Sequence, residues 1–237
     1  MKDCIFKCKE AFTLAEVLVT MGIIGVVAAM TVPTLMQNYQ RQSFVTQLRK
    51  VYSEVGQAAE RYKSDNNVVS LRESRLRNNS EELNRFMNTY FKVVRNCNGS
   101  YAPCFADYYE TIEGKDIPVR NYSCKFTGVL ASGAAICADS DDSASSTPAD
   151  RDVNGDGTID ENDVIKNDGV IGGAVLGFDI DVNGPQGPNI GGRDLFSMAV
   201  APDGTVFDPK YVSGQSPATN GSWGIGKILE DGWQMNY

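Results

Sequence analysis

A regular series of oxygen-bearing side chains between residues 152 and 163 (DVNGDGTIDEND) is the clearest chemical pattern in the sequence. Carboxylate or amide oxygens stand at the first, third, fifth, ninth and twelfth positions, and Gly157 stands at the sixth. Calcium requires six to eight oxygen ligands at about 2.3–2.6 Å, and a glycine allows the loop to turn sharply between them. The stretch therefore predicts a calcium site, with ligands from Asp152, Asn154, Asp156, the backbone carbonyl of Thr158, Asp160 and Asp163.

This loop resembles an EF-hand loop or a dockerin repeat, with two departures. Its last ligand is aspartate rather than glutamate, and the preceding residues 143–149 lack a helical pattern. Because a calcium sensor needs a pair of helices that opens, we expect a structural ion that orders an acidic loop. The alternative is a solvated turn. A partial copy at Asp179, Asp181 and Asn183 lacks a carboxylate at its twelfth position, so we expect a turn there, with a partial metal site as the alternative.

A second pattern is a single acid inside a long apolar run. The residues from Phe12 to Leu35 contain Glu16 as their one charged side chain. A helix needs about 20 apolar residues to cross a bilayer, and this run is long enough. A carboxylate within such a helix costs about 2.5–3.5 kcal/mol on insertion scales. We therefore expect a transmembrane helix in which Glu16 has a function.

The stretch from Lys7 to Gly25 (KCKEAFTLAEVLVTMGIIG) resembles the leader and N-terminal segment of type IV prepilins and type II secretion pseudopilins. The resemblance implies that a prepilin peptidase cuts between Ala11 and Phe12 and methylates the new N-terminus. The family usually has glycine before the cut, whereas this chain has alanine. Glu16 matches the family's glutamate. In lipid, that carboxylate and the new amine of a neighbouring subunit would neutralise each other and set the register of a filament.

Three alternatives to a filament subunit remain at this point. An ordinary signal-anchor helix would tolerate Glu16 without using it. A secretory signal peptide could end at the small residues 27–29, but Glu16 would then interrupt its apolar core. A membrane-anchored, calcium-dependent binding module would use the head without forming a filament. Within the filament class, the sequence does not distinguish a type IV pilus subunit from a pseudopilus subunit.

The patterns together predict a single-pass protein of the inner membrane, with a cytoplasmic N-terminus and a periplasmic or extracellular head. We expect as partners other pilin or pseudopilin subunits, the prepilin peptidase that also methylates, and the membrane itself. The predicted regions are a leader at 1–11, a transmembrane segment at 12–35, an amphipathic continuation of the helix at 36–62, and a head at 63–237 with an acidic calcium-loop insertion at about 139–169.

The head reads as a small antiparallel sheet packed on the long helix, which is an α+β, pilin-like layout. Asn79 is a candidate N-cap for a second helix, with Glu82 as its capping-box partner. The apolar stripe of that helix is predicted to run from Leu83 through Phe91 to Val94. Strand patterns follow at residues 128–137 with a turn at 132–133, and at 173–181, 194–200 and 205–207.

Charge and composition exclude several classes of function. The net charge is −8, and residues 139–168 hold ten acids against two bases, so that segment accounts for the whole excess. A chain without a basic stripe is a poor candidate for nucleic-acid binding, and we predict none. The chain contains no histidine, and no motif of a nucleophilic or phosphate-binding enzyme occurs. We therefore predict that the protein is not an enzyme.

Six cysteines divide into two groups. Cys4 and Cys8 lie in the leader, and the other four lie in a head that we expect in an oxidising compartment. Four cysteines allow three pairings, and we favour the one that closes two short loops. No Cys-x-x-Cys spacing indicates zinc. The candidate disulfides are Cys97–Cys104 and Cys124–Cys137.

Overall fold

The computed structural model describes residues 13–76, 79–119, 124–140, 174–208 and 223–237. The chain divides into two compact units, residues 1–41 and residues 42–237. Helix α1 (Leu14–Asp65) begins in the first unit and ends in the second, and Pro33 lies within it. A short 3₁₀ helix (Leu71–Glu73), helix α2 (Ser80–Tyr90) and helix α3 (Gly226–Glu230) complete the helices of the described residues.

In the described part of the second unit, eight strands form two antiparallel sheets. The larger sheet has six strands in the order β1-β4-β5-β6-β7-β8, and the smaller sheet pairs β2 with β3. The strands are β1 (Val93–Asn96), β2 (Tyr109–Glu110), β3 (Asp116–Ile117), β4 (Phe126–Leu130), β5 (Ala135–Asp139), β6 (Leu176–Asp181), β7 (Leu195–Val200) and β8 (Val206–Phe207). The long helix and the antiparallel sheet confirm the α+β, pilin-like layout.

The helices cover one face of the six-stranded sheet. The residues of α1 that are buried here recur at spacings of three and four, so they form one stripe along the helix. The same core contains Phe86 of α2, Ile136 of β5, Phe178 of β6 and Phe196 of β7. Burial of this apolar surface is the main force that holds the sheet against the helices. The α1 stripe consists of Val45, Leu48, Val51, Val55, Ala58, Ala59 and Tyr62.

The opposite face of the sheet carries a second, smaller core. Tyr101, Phe105 and Tyr109 pack there against Ala135 of β5 and Leu195 of β7. The segment that supplies these aromatic residues lies between β1 and β4 and includes the small β2–β3 sheet. The six-stranded sheet is therefore covered on both faces, which explains why four of the five residues of β5 are buried.

The β4–β5 hairpin confirms the strand pattern and the turn predicted at Ser132 and Gly133. Phe126 pairs with Ala138 and Val129 pairs with Ala135. Gly133 has a φ of +92°, a left-handed conformation that glycine adopts without the steric cost of a side chain. The turn is closed by a backbone hydrogen bond of 2.9 Å from the N–H of Gly133 to the carbonyl of Leu130.

Helix α2 begins as predicted and ends earlier than its apolar pattern indicated. The side chain of Asn79 accepts hydrogen bonds from the N–H groups of Glu81 and Glu82, which confirms the N-cap. The helix ends at Tyr90, and Val94, which we assigned to the helical stripe, lies in β1 with 63% of its surface exposed. The helical prediction was wrong there because Val93 pairs with Leu130 of β4, and a sheet ladder outweighs a short-range periodicity.

The carboxylate of Glu82 makes a tertiary contact in place of the predicted capping-box return. It accepts a hydrogen bond of 3.0 Å from the hydroxyl of Tyr62, and Glu82 is only 8% exposed. The N–H of Asn79 donates instead to the carbonyl of Leu76. Burial, together with the hydrogen bond to Glu82, raises the pKa of Tyr62 to about 12. This contact links α1 to α2.

Candidate functional site

Glu16 lies in the first turn of α1, where Thr13 donates to one oxygen of its carboxylate. The N–H and the hydroxyl of Thr13 both donate to Oε2 of Glu16, at 2.8 Å each. The N–H of Glu16 in turn donates to Oγ1 of Thr13 at 3.2 Å. These reciprocal bonds are a capping box, in which the side chains at the N-cap and at the third helical position bond each other's backbone. A carboxylate at a helix N-terminus also interacts favourably with the helix dipole.

The sequence analysis did not identify Thr13 as the partner of Glu16. The signal was present in the sequence, because Thr13-Leu14-Ala15-Glu16 has the Thr-x-x-Glu spacing of a capping box. The predicted role of Glu16 rested only on its being an acid in an apolar run. The structure shows that its own chain supplies three hydrogen bonds around that acid.

The surface around Glu16 is apolar and exposed. An 18-residue stretch of α1 is long and apolar enough to cross a membrane, and none of it is buried inside the protein. The hydroxyls of Thr20 and Thr31 donate hydrogen bonds to backbone carbonyls of their own helix, at 3.0 and 2.9 Å. These bonds satisfy the two polar groups within the apolar surface. The exposed large side chains up to residue 36 include Leu14, Leu18, Val19, Met21, Ile23, Ile24, Val26, Val27, Met30, Val32, Leu35 and Met36.

An exposed apolar helix of this length has two physical explanations. It crosses a membrane, or other chains cover it, and both conditions remove its side chains from water. The core helix of a soluble protein would also be long and apolar, but it would be buried, and this stretch is not. The helix is therefore consistent with membrane anchoring.

The other residues predicted for processing and for calcium lie outside the described residues. Ala11, Phe12 and the whole loop from Asp152 to Asp163 belong to this group. Within the described ranges, no group of three or more His, Cys, Asp or Glu side chains is placed to hold a metal ion. The calcium site remains a prediction from the sequence.

The partial copy of the calcium pattern forms a turn in which the carboxylate of Asp181 accepts a hydrogen bond from the backbone two residues later. Oδ1 of Asp181 accepts from the N–H of Asn183 at 3.1 Å, and Oδ2 accepts from the hydroxyl of Tyr109. Asp194 fixes the end of the same loop, because its two oxygens accept from the N–H groups of Asn189 and Ile190, at 2.7 and 2.6 Å. The two carboxylates thus organise the loop between β6 and β7.

Both loop acids are fully buried. Burial raises the pKa of Asp181 to about 8, with a further upward contribution from the nearby Asp194, against hydrogen bonds that lower it. Burial likewise raises the pKa of Asp194. The pKa of Tyr109 is raised by its burial and by the charge of Asp181. No sequence pattern had joined Tyr109 to this loop, because it is 72 positions away from Asp181.

The four head cysteines form two disulfides. Cys97 bonds Cys104 and Cys124 bonds Cys137, with Cα–Cα distances of 6.2 and 5.7 Å. Both bonds agree with the short-loop pairing favoured from the sequence. The second bond joins β5 to the residue that precedes β4 by two positions, so it anchors the covering segment directly to the sheet.

Comparison with known proteins identifies the N-terminal segment. Residues 6–32 match the family described as the prokaryotic N-terminal methylation motif. The chain therefore carries the signal found on type IV prepilins, and the match includes the predicted cut, Thr13 and Glu16. The chain matches no curated protein and no solved structure.

The motif has consequences for the class of protein. It indicates that the protein is similar to a type IV pilin or a pseudopilin, and proteins of this kind are structural subunits. It implies processing by a prepilin peptidase and assembly with pilin subunits. Together with the exposed apolar helix, it is consistent with a membrane anchor.

Proposed function

We propose that the protein is a pilin-like subunit that is cut before Phe12, methylated on its new N-terminus, and assembled through its N-terminal helix into a type IV pilus or a type II secretion pseudopilus. The observation that carries this proposal is the methylation motif at residues 6–32, which coincides with the exposed apolar part of α1. The head would lie on the periplasmic or extracellular side of the inner membrane. Function in this proposal is assembly rather than catalysis.

In this proposal Glu16 gains a second partner after the cut. Before the cut, Thr13 supplies the hydrogen bonds that the carboxylate needs. After the cut, the amine of Phe12 on a neighbouring subunit would bring an opposite charge to Glu16 in a water-poor surrounding. A paired charge is much less costly there than an isolated one, so Glu16 would select the register of the helices.

Mass spectrometry of the membrane-extracted protein tests the processing step. The expected N-terminal peptide begins at Phe12 and carries one methyl group. The matched control is the Ala11→Gly variant, which restores the residue usual before the cut and should be processed at least as completely. A chain that keeps residues 1–11 in cells with an active prepilin peptidase would refute the proposal.

We propose further that the loop from Asp152 to Asp163 binds one structural calcium ion. Support comes from the spacing of its oxygen-bearing residues and from the ten acids of residues 139–168, which repel one another without a cation. Extracellular calcium modules bind with dissociation constants of about 10⁻⁴–10⁻³ M, and we expect a value in that range.

Calorimetric titration of the detergent-solubilised protein with calcium tests this second proposal. The Asp156→Asn/Asp160→Asn variant should lose the binding heat. The Asp116→Asn variant, which changes an exposed acid on β3, should keep it. Calcium should also protect residues 139–168 from limited proteolysis in the wild-type protein and in Asp116→Asn, but not in Asp156→Asn/Asp160→Asn. Equal binding by all three proteins would exclude this loop as the site.

A further inference from the structure

A preformed pocket lies beside the exposed edge strand of the six-stranded sheet. It has a volume of about 320 Å³ and is open to solvent. Its lining includes Val94 and Arg95 of β1 together with Pro103, Gly133 and Pro185. Strand β1 stands at the end of the strand order, so its outer edge pairs with no other strand among the described residues.

Independent restraints hold the walls of this pocket. The disulfide from Cys97 fixes Cys104, which follows Pro103 and also lines the pocket. The side-chain amide of Asn183 donates to the carbonyls of Gln186 and Gly187, at 2.6 and 3.1 Å, and so holds the loop that contains Pro185. A pocket with fixed walls loses little conformational freedom when it binds, which favours affinity.

The pocket presents an uncompensated positive charge. Arg95 is exposed, and within the described part of the chain its guanidinium has no hydrogen-bond or ion-pair partner. Lys92, three residues earlier at the same edge, is exposed as well. A guanidinium in a solvent-open pocket of mixed polar and apolar lining fits a carboxylate on an extended peptide.

The chain leaves the sheet at the end of β5 and returns to it at the start of β6. This is the opposite end of the two strands from the pocket. Asp139, the last residue of β5, pairs with Gly177, and the acidic residues 139–168 lie between them in the sequence. The pocket lies near the other end, where Ala135 pairs with Asp181. Four residues of strand separate these ends, which is about 13 Å.

We propose that the pocket at Arg95 binds the acidic segment, residues 139–168, of a neighbouring copy of this chain. A pocket on one subunit that binds a different segment of the next subunit makes a heterologous contact, and such contacts can repeat along a filament without closing. The inference rests on the proposed function, since only assembled subunits bring two heads together. The head contact would add to the helix contact and align successive heads.

Photo-crosslinking in cells distinguishes this contact from filament assembly in general. A benzoylphenylalanine residue replaces Val94, which is 63% exposed in the pocket wall, in the full chain. A second full-length variant carries the same residue at Ile24, in the apolar part of α1. The expected result is a crosslinked dimer from both positions, with the Val94 adduct mapped by mass spectrometry to residues 139–168 of the second chain.

Each other outcome overturns the inference in a recognisable way. A dimer from Ile24 together with no adduct from Val94, or an adduct to another segment or another protein, refutes the head contact and leaves the filament proposal intact. A Val94 adduct within one chain shows that the acidic segment folds back on its own head. Loss of both dimers refutes the filament and the head contact together.

Charge reversal then tests the chemistry of the contact. Arg95→Glu should lower the yield of the Val94 adduct about fivefold, the scale expected for loss of a surface ion pair. Adding Asp141→Lys and Asp142→Lys, two acids outside the calcium ligands, should restore most of the yield. Arg72→Glu, an exposed arginine of the 3₁₀ helix, is the matched control and should leave the yield unchanged. An equal yield from Arg95→Glu and wild type refutes the proposed role of Arg95.

Discussion

The two parts of α1 share one secondary structure and differ completely in their surroundings. The 18-residue apolar stretch in the first part is entirely exposed, whereas the part from Val45 to Tyr62 places seven side chains in the core of the head. Helix formation alone therefore says little about what a helix does. The difference lies in what covers the apolar side chains: the sheet covers the second part, whereas the exposed first part is consistent with a membrane anchor.

The two regions also differ in the hydrogen-bond donors that they provide to an acidic side chain. In the head, Asp181 is fully buried and receives hydrogen bonds from Tyr109 and from the backbone of Asn183. In the first part of α1, Glu16 receives hydrogen bonds from Thr13 alone among the described residues. The head completes its polar network internally. The N-terminal helix leaves a carboxylate available to an external partner, which is what an assembly element needs.

Replacing Glu16 should have the largest effect and should separate the two regions. We expect Glu16→Gln to abolish filament assembly, because the neutral side chain no longer attracts the neighbouring amine. The melting temperature of the head should not change. Glu54→Gln, in the second part of the same helix, is the control for assembly. A protein that still assembles, or a membrane-anchored calcium-binding module that works equally well without Glu16, would contradict the proposed function.

Truncating apolar residues of α1 should show the reverse dependence. Leu48→Ala removes a side chain with no exposed surface from the core, and we expect a loss of about 2–5 kcal/mol in the free energy of unfolding. Ile24→Ala removes an exposed side chain, 66% accessible, and should leave head stability within about 0.5 kcal/mol of wild type. Denaturant unfolding in detergent, followed by tryptophan fluorescence, measures both. Similar losses for the two variants would show that the first part of α1 also packs into the head.

The contact between Tyr62 and Glu82 tests how firmly the second part of α1 is held. Tyr62→Phe keeps the ring and removes the hydroxyl that donates to the buried carboxylate. We expect a cost of about 1–3 kcal/mol in the free energy of unfolding, because a buried acceptor loses its donor. Tyr39→Phe, at a tyrosine that is 74% exposed, is the matched control and should be neutral. The contact is unimportant if both variants unfold alike.

The pH dependence of head stability should report the burial of Asp181. Its pKa is higher in the folded chain, about 8, than the ordinary 3.8 of an unfolded aspartate. Between these values the folded state holds more protons than the unfolded state, so stability falls as the pH rises from about 4 towards 8. Asp181→Asn should remove this contribution, about 1.4 kcal/mol per pH unit, and reduce the fall in melting temperature from pH 5 to pH 8 by roughly 10 °C.

The control for this measurement is Asp116→Asn, which changes an exposed acid for which burial plays no part. Its melting temperatures should follow the wild-type profile at every pH. If Asp181→Asn also follows that profile, the carboxyl of Asp181 titrates as an ordinary aspartate and the burial argument fails for this loop.

Local patterns predicted those features of the head that depend on neighbouring residues. The hairpin at Gly133, the N-cap at Asn79 and the two short-loop disulfides follow from chemistry over fewer than fifteen positions. Val94 shows where this reasoning stops. Its helical spacing was real, yet pairing of the neighbouring Val93 with Leu130, 37 positions away, placed it on a sheet edge. The spacing of apolar residues along a short segment carries no information about which distant strand will pair with it.

By itself, the sequence determined the apolar run, the single acid within it and the motif at residues 6–32, because these depend on composition and spacing along one helix. The tertiary structure decided which part of α1 is covered, that Tyr109 meets Asp181, and that Arg95, which has no ion-pair partner among the described residues, lies beside a pocket at the sheet edge. The physical reason is that burial and charge pairing depend on which distant segments come together, and only the folded chain brings them together.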